Sequence, residues 1–237
     1  GLVAKLKGFG EKTQKTLLEA LEFKEANANK LHYADAIELA QLIQDKVGTL
    51  NGVVQVEATS EIRRRMEIIS EIELLVSTED INTLEEVINN EELFTQDLTL
   101  SGPTKWGGFY GENKIPVYLH FAKPKDFIKR QFLLTGSNQH IAQKVLEKES
   151  LFDLANSRAF ESEKELYLQA GLDFIQPELR EATFEIDAAK NQKLPKLVEM
   201  SDLKGILHNH STYSDGKHSL EQMAKYCKEL GYEYLGI

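Results

Sequence analysis

The chain has 237 residues, of which 41% are hydrophobic and 28% are charged, a composition typical of a globular protein with a sizeable core. No apolar run approaches the roughly 18 residues that a membrane helix needs, and the single Cys227 cannot form an internal disulfide. These features exclude a helical membrane protein and a disulfide-stapled scaffold, and a cytoplasmic location is expected. The net charge of −10 argues against a surface that binds nucleic acid nonspecifically over its whole extent.

The charges are distributed unevenly along the chain. Residues 57–97 carry twelve Asp or Glu against three Arg, whereas residues 1–30 carry six Lys against four Glu. Any phosphate-binding surface is therefore expected near the amino end. The sequence begins at Gly1 and stops at Ile237 within a structural pattern, so we expect it to be a piece of a longer protein.

Residues 1–48 are predicted to be helical. Gly8 and Gly10 flank Phe9 between two helical stretches, which predicts a helix-hairpin-helix. Glycine allows the backbone N–H groups of such a hairpin to approach a DNA phosphate closely. Three lysines add positive charge to this segment: Lys5, Lys7 and Lys12. A purely structural turn between two helices accounts for the same glycines.

Residues 49–122 are predicted to form a mixed α/β region. Strands are expected at VVQVEA and EIELLV, and a short helix is expected at NTLEEVINN with Asn82 as its N-cap. The segment TKWGGFYGENKIPVYLHFA predicts a β-hairpin with its turn at residues 111–113.

Helical patterns return in residues 123–182, among them KDFIKRQFLL and NQHIAQKVLEKE. Residues 183–203 show little periodicity and contain Pro195, which predicts an extended connector. Residues 204–237 predict the start of a βαβ unit. Its expected parts are a strand at Ile206-Leu207, a helix with Ser219 and Gln222 as a capping box and Gly231 as its end, and a second strand in YEYLGI.

Three side chains with metal-binding chemistry follow the first strand of this unit. His208 and His210 are two residues apart, so their side chains leave the same side of the chain, and Asp215 lies in the next turn. Two imidazoles and a carboxylate can bind one divalent metal. For an isolated His-x-His, two polar histidines in a loop are the alternative.

The segment ILHNHSTYSDG, between a strand and a capped helix, resembles the first motif of PHP (polymerase and histidinol phosphatase) domains, which are metal-dependent phosphoesterases. The resemblance implies that His208, His210 and Asp215 are ligands of Mn²⁺ or Zn²⁺. Such domains take most of their ligands from later strands. These three ligands alone are therefore expected to bind a metal weakly and to support no phosphoesterase turnover.

The layout of the whole chain is similar to that of bacterial family-X DNA polymerases, whose polymerase core is fused to a carboxyl-terminal PHP domain. The resemblance is carried by GFGEKT, SEIRRRMEIISEIELLV, SGPTK, LLTGSNQH and LYLQAGLDFIQPELREA. It implies an α+β fold with a nucleotidyltransferase-like mixed sheet. The expected regions are helical fingers with the helix-hairpin-helix (1–48), a palm (49–122), a thumb (123–182), a linker (183–203) and the first βαβ unit of a PHP barrel (204–237).

The resemblance also implies DNA repair, with gapped or nicked DNA ends as the partner and no membrane, and it leaves the oligomeric state open. The implied substrate-binding residues are Gly8, Gly10, Lys12, Arg63, Arg64, Thr135, Gly136 and Ser137. Solvated charge is the alternative for the two arginines. A helix N-terminus explains the Thr-Gly-Ser segment equally well.

The palm departs from the family pattern at its catalytic positions. Glu71 and Glu73 replace the family's Asp-x-Asp pair, and Tyr118 replaces its third aspartate. Nucleotidyl transfer needs carboxylates around two metals, and a neutral phenol cannot bridge metals at neutral pH. Ser60-Glu61 replaces the family's Gly-Ser before the arginines, and Glu61 is expected to put a negative charge at the triphosphate position. In the thumb, Ile141 replaces a family asparagine. Polymerase activity is therefore expected to be lost, and Mg²⁺ binding at the palm is not expected. The alternative for the glutamate pair is a solvated acidic edge with no role in metal binding.

Three functions are compatible with these patterns. The first is a DNA-repair protein that resembles a family-X polymerase and relies on a PHP phosphoesterase or 3′-5′ exonuclease site. The second is a noncatalytic DNA-binding scaffold, and the third is a PHP phosphatase that acts on a small phosphate ester without binding nucleic acid.

Overall fold

The computed structural model describes residues 10–26, 30–145 and 149–237. The chain divides into two compact units, Gly1–Leu194 and Pro195–Ile237. The first unit contains α1 (Glu11–Ala26), β1 (Leu31–His32), α2 (Tyr33–Gly48), β2 (Val53–Ala58), α3 (Ser60–Arg63), β3 (Ile68–Ile69), β4 (Ile72–Thr78), α4 (Ile81–Asn89), β5 (Phe94–Gln96), β6 (Lys105–Tyr110), β7 (Ile115–Ala122), α5 (Phe127–Thr135), α6 (Asn138–Ile141), α7 (Leu151–Ser157), α8 (Glu163–Gln169) and α9 (Glu185–Lys190). The second contains β8 (Gly205–Ile206), α10 (Leu220–Glu229) and β9 (Tyr234–Leu235).

A five-stranded sheet in the order β2-β4-β7-β6-β5 forms the centre of the first unit. β4 and β7 are parallel, and the other neighbouring strands are antiparallel. Alternate residues of β4 and β7 join α2 and α4 in one core: Ile72, Leu74, Val76, Val117, Leu119 and Phe121. Because side chains alternate across a strand, Glu73 and Tyr118 lie on the opposite face.

A second core lies in the later part of the first unit, where α5, α7, α8 and α9 pack together. Its buried members include Phe132, Leu154, Leu166, Tyr167 and Ile186. The helix starts are fixed locally. Ser150 and Asp153 form a capping box for α7, and Ser162 accepts a hydrogen bond from the Glu165 N–H at the start of α8.

The carboxylate of Glu163 connects α3 to the second core. It accepts hydrogen bonds from Nη1 and Nη2 of Arg63 at 2.7 and 2.8 Å, and from Nη1 and Nη2 of Arg180 at 3.0 and 2.9 Å. Arg180 is fully buried, and its Nε donates to the Ile175 carbonyl at 3.0 Å. Four charge-assisted hydrogen bonds therefore converge on one carboxylate in a site with little water.

Most predicted elements of the first unit are confirmed. The mixed α+β character is confirmed, VVQVEA forms β2, EIELLV lies in β4, and the predicted hairpin joins β6 to β7 through Gly111 at φ 69°. The predicted N-cap at Asn82 is wrong. Asp80 caps α4, because its Oδ1 accepts the Thr83 N–H at 3.1 Å.

Two further expectations need correction. The helix predicted in NQHIAQKVLEKE ends at Ile141, since the chain then reverses and Lys144 pairs with Ser150. The predicted connector 183–203 is not extended throughout. Its first part forms α9, because Ile186 and Ala189 lie three residues apart and bury one helical face in the second core. The division between the two units falls inside this predicted connector.

The second unit contains the predicted βαβ arrangement. β8 and β9 pair in parallel, with Gly205 opposite Tyr234 and Ile206 opposite Leu235. Ser219 and Gln222 form the predicted capping box of α10, and Gly231 ends it at φ 76°. Within the ranges that the structure describes, no helix is long and apolar enough to cross a membrane.

We predict that Glu163 makes stability depend on pH in the acidic range. Burial alone raises its pKa, but the hydrogen bonds from Arg63 and the charge of Arg180 outweigh burial and lower the pKa from 4.5 to about 2. A depressed folded-state pKa stabilises the protein above the unfolded value, and this stability is lost as pH falls from about 4.5 to about 2. The contribution is roughly 3 kcal/mol at neutral pH.

Urea unfolding of the wild type and Glu163→Gln between pH 7 and pH 2 measures this contribution. At pH 7 the variant should lose about 3–5 kcal/mol, because two guanidinium groups lose their shared carboxylate. The difference should shrink toward pH 2. Glu19→Gln removes an exposed Lys15–Glu19 pair and serves as the control, with little change expected. If the loss of stability in Glu163→Gln is the same at every pH, the lowered pKa of Glu163 is contradicted.

Candidate functional site

The polar face of the sheet brings the predicted palm residues together. Glu71 directly precedes β4, and Glu73 within β4 is the register partner of Tyr118 in the parallel strand β7. His120 lies two residues further along β7, so its imidazole is on the same face as Tyr118. His120 Nε2 is 2.7 Å from Glu73 Oε2, and both side chains are largely buried. The ammonium of Lys105 lies 4.4 Å from the centre of the Tyr118 ring.

The two glutamates of this face have different electrostatic environments. Burial raises the pKa of Glu71, and the negative charges of Glu73 and Glu61 raise it further. Burial also raises the pKa of Glu73, but hydrogen bonds from His120 and Ser60 outweigh it and lower the pKa below its ordinary value. The ionised form of Glu73 is therefore favoured by neighbouring protein groups.

These residues do not fit a two-metal nucleotidyl-transfer centre. Burial, followed by the charges of Glu71 and Glu73, raises the pKa of Tyr118, so its phenol is neutral at physiological pH. A neutral phenol cannot bridge two cations, and the carboxylate of Glu73 is already bonded to an imidazole. In the described parts of the chain, no group of three or more His, Cys, Asp or Glu side chains is arranged to hold a metal ion.

The two predicted phosphate-binding arginines are both paired with glutamates. Arg63 is bonded to Glu163, as described above, and Arg64 Nε lies 2.5 Å from Glu181 Oε1. Arg64 Nη1 also donates to the Thr135 carbonyl at 2.7 Å. The side chains of Arg63 and Arg64 are only 22% and 11% exposed, so neither is a solvated surface charge.

A cavity of about 460 Å³ in the first unit lies between the regions that the sequence predicts as palm and thumb. Its lining residues include Ser60, Arg64, Glu73, Gly136, Ser137 and Glu181. The structure thus brings together four predicted site residues (Arg64, Glu73, Gly136 and Ser137) that are far apart in sequence. We call this cavity the palm–thumb pocket.

The predicted Thr-Gly-Ser segment has structural partners at this pocket. Thr135 is fully buried, and its hydroxyl accepts from Arg63 Nη1 at 2.7 Å and donates to the Gln131 carbonyl at 2.6 Å. The Ser137 hydroxyl accepts the His140 N–H at 3.1 Å, which makes Ser137 the N-cap of α6. A helix N-terminus, one of the two predicted explanations, is therefore present.

The corner before the arginines has an unusual backbone. Ser60, where the resemblance implies a glycine, has φ 52°, in the left-handed region that glycine adopts readily. The carboxylate of Glu61 accepts the Ser70 N–H at 2.7 Å. Glu61 therefore has a backbone partner, which the sequence-based expectation of a repelling charge did not include.

The sequence reasoning missed a buried network beside the pocket. His140 is fully buried, with Nδ1 2.6 Å from Glu185 Oε1 and Nε2 2.8 Å from the Tyr167 hydroxyl. Burial lowers the pKa of His140, although its hydrogen bond to the Glu185 carboxylate opposes this effect. Glu185 also accepts the N–H of Ala182 at 2.7 Å. No local sequence pattern indicates this network, because its members come from three separate helices.

The predicted metal ligands of the second unit are adjacent but not arranged around a common point. The rings of His208 and His210 are stacked with their centres 5.6 Å apart, and His210 Nδ1 lies 2.5 Å from Asp215 Oδ1. Gly216 is required here, because a Cβ at this position would lie 1.8 Å from the His210 carbonyl oxygen. The donor chemistry suits a divalent metal, and the His210–Asp215 hydrogen bond leaves His210 Nε2 and Asp215 Oδ2 as donor atoms.

The predicted amino-terminal site is described only in part. Gly8, Lys5 and Lys7 lie outside the described residues. Gly10 immediately precedes α1, and Lys12 is an exposed residue of its first turn.

The chain is similar to a curated protein, while no protein-family model matches it. It is 26% identical over 245 residues to the DNA polymerase/3'-5' exonuclease PolX of Bacillus subtilis (strain 168). The alignment covers 98% of this chain and 42% of that relative, so the chain spans less than half of the relative's length. This similarity supports the predicted relationship to bacterial family-X DNA polymerases.

We predict that His120 stabilises the first unit through its hydrogen bond to Glu73. Replacing it in His120→Gln removes the imidazole from a carboxylate that is only 17% exposed. The free energy of unfolding should fall by about 2–4 kcal/mol, because a largely buried charge loses its partner. Urea denaturation measures this loss. His32→Gln, at an exposed residue whose side chain makes no capping bond, is the matched control. Equal effects of the two substitutions would refute the role of His120.

Proposed function

We propose that this chain is part of a DNA-repair protein, related to family-X DNA polymerases, that binds gapped or nicked DNA and performs no nucleotidyl transfer at its palm. The observation that carries the proposal is the hydrogen bond of 2.7 Å between His120 and Glu73, beside Tyr118 on the neighbouring strand. The Glu73 carboxylate is hydrogen-bonded to an imidazole, and a phenol takes the place of a metal ligand. The relative's name supports the DNA-processing context.

The physical argument concerns charge at the reacting centre. Nucleotidyl transfer depends on two cations that brace the attacking and leaving oxygens. At this palm the remaining carboxylates are Glu71, whose pKa is raised, and Glu73, which is bonded to His120. Their side chains supply neither the ligand number nor the short, fixed geometry that paired Mg²⁺ ions demand.

The second unit supports a separate part of the proposal. We propose that His208, His210 and Asp215 contribute to a Mn²⁺ or Zn²⁺ site of a PHP-type phosphoesterase or 3′-5′ exonuclease. The supporting features are the parallel β8–β9 pair, the connecting helix α10 and the donor set at the end of β8. When bound, the metal would supply Lewis-acid chemistry to a phosphate ester. Here His208 and His210 would offer imidazole nitrogens, and Asp215 would offer an oxygen.

Primer extension tests the palm proposal. The chain should bind a gapped duplex at low salt but leave its primer unextended with deoxynucleoside triphosphates and either Mg²⁺ or Mn²⁺. The Bacillus subtilis relative serves as the positive control for extension. Template-directed extension by this chain would overturn the proposal.

The DNA-binding part of the proposal has its own test. Exchange of Lys5, Lys7 and Lys12 for Glu should weaken binding of the gapped duplex at least tenfold and reduce its salt dependence. Absence of binding by the wild type would remove this part and favour a small-molecule phosphatase.

Titration with Zn²⁺ tests the second unit. The imidazole signals of His208 and His210 should shift together in NMR spectra, whereas those of the exposed His32 should not. Asp215→Asn should weaken the response by removing the carboxylate charge. The affinity should be low, and the chain should not hydrolyse an aryl phosphate. Unchanged His208 and His210 signals at millimolar Zn²⁺ would contradict the ligand assignment.

A further inference from the structure

The side chain of Glu181 occupies the anion-binding edge of Arg64. Glu181 Oε1 lies 2.5 Å from Arg64 Nε, and both residues line the palm–thumb pocket. The arginine side chain is 11% exposed and the glutamate side chain is 32% exposed, so water screens this pair less than a surface pair. Any anion that binds Arg64 through this edge must first displace the glutamate.

The backbone on both sides of Glu181 is held by buried groups. Arg180 precedes it and is anchored by Glu163, while its carbonyl accepts the Ser137 N–H at 3.0 Å. Ala182 follows it at φ 59°, and its N–H donates to the buried Glu185. With its backbone fixed, Glu181 can leave Arg64 only by a change of side-chain rotamer.

Arg64 keeps its orientation without Glu181. Its Nη1 donates to the Thr135 carbonyl at 2.7 Å, and Thr135 is itself fully buried. In the described part of the chain, Nη2 of Arg64 makes no hydrogen bond. The guanidinium would therefore present two free donor positions, at Nε and Nη2, once the carboxylate moves away. Such a fork matches two oxygens of a phosphate group as well as those of a carboxylate.

We propose that Glu181 is an internal competitor for phosphate: it mimics the anion at Arg64 and keeps phosphate groups out of the palm–thumb pocket until its side chain rotates away. The proposal depends on the proposed function in one respect: it assumes that a phosphate group enters this pocket. Glu73 adds a second carboxylate to the pocket, but it is hydrogen-bonded to His120. Glu181 is thus the carboxylate whose removal frees a cation for ligand binding.

Calorimetric titration with inorganic pyrophosphate, without metal and at low salt, tests the competition. Glu181→Gln keeps the size of the side chain and removes its charge, so the affinity for pyrophosphate should rise about tenfold or more over the wild type. The gain should disappear in Glu181→Gln combined with Arg64→Gln. Glu178→Gln is the matched control: Glu178 lies three residues earlier and pairs with Arg65, whose side chain is 59% exposed. It should leave the affinity unchanged.

Further titrants identify the source of the phosphate. A gain with a deoxynucleoside triphosphate assigns the site to a nucleotide, and a gain with a 5′-phosphorylated oligonucleotide assigns it to a DNA end. Glu181→Asp, which is one methylene shorter, provides a second variant and should give a smaller gain in the same direction. Circular dichroism checks that each variant is folded.

Equal pyrophosphate affinity of the wild type, Glu181→Asp and Glu181→Gln would overturn the proposal. An equal gain in Glu178→Gln would also overturn it, because the effect would then be one of net charge. Neither result depends on DNA binding or primer extension. Failure of the competition and failure of the proposed function can therefore be told apart.

Discussion

The carboxylate of Glu163 lies between two guanidinium groups, and the geometry of the palm–thumb pocket depends on this arrangement. Arg63 comes from the corner after β2, and Arg180 comes from the segment before α9. Compared with apolar side chains of the same volume, a buried ion pair contributes little net stability, because desolvation offsets much of the attraction, but protonation or removal of one partner leaves an uncompensated charge. The cluster therefore acts chiefly by excluding other arrangements of the two walls. It also explains why Arg63 is not available to a ligand.

The same principle governs the polar face of the sheet. The period of two along β4 and β7 puts Glu73 and His120 side by side, just as it would align carboxylates around metals in a polymerase palm. Here the neighbouring group is an imidazole, so the carboxylate has a hydrogen-bond partner within the protein. Arg64 and Glu181 repeat this pattern across the pocket, since Arg64 lies on the side of Glu73 and Glu181 lies next to Arg180. Charges that could serve ligands are thus satisfied by internal partners on both walls.

The sequence predicted the parts of this fold that depend on local physics. Alternation identified β2 and β4, and the Ser219–Gln222 capping box located α10, because each signal spans only a few residues. The partners in the candidate site could not be predicted in this way. Arg63 and Glu163 are 100 residues apart, and Arg64 and Glu181 are 117 apart. A guanidinium pairs with any nearby carboxylate, so only the tertiary fold selects which of the many glutamates it meets.

The backbone corner at Ser60 depends on both local conformational preference and tertiary contacts. A serine in the left-handed region costs about 1 kcal/mol or more relative to glycine, so local propensity alone disfavours it at φ 52°. The Ser60 hydroxyl acts together with His120 to lower the pKa of Glu73. Glycine at this position has no hydroxyl and could not have this effect. The two departures from the pattern that the resemblance implies, at Ser60 and at Glu73, therefore act on the same carboxylate, which is hydrogen-bonded to an imidazole of the protein.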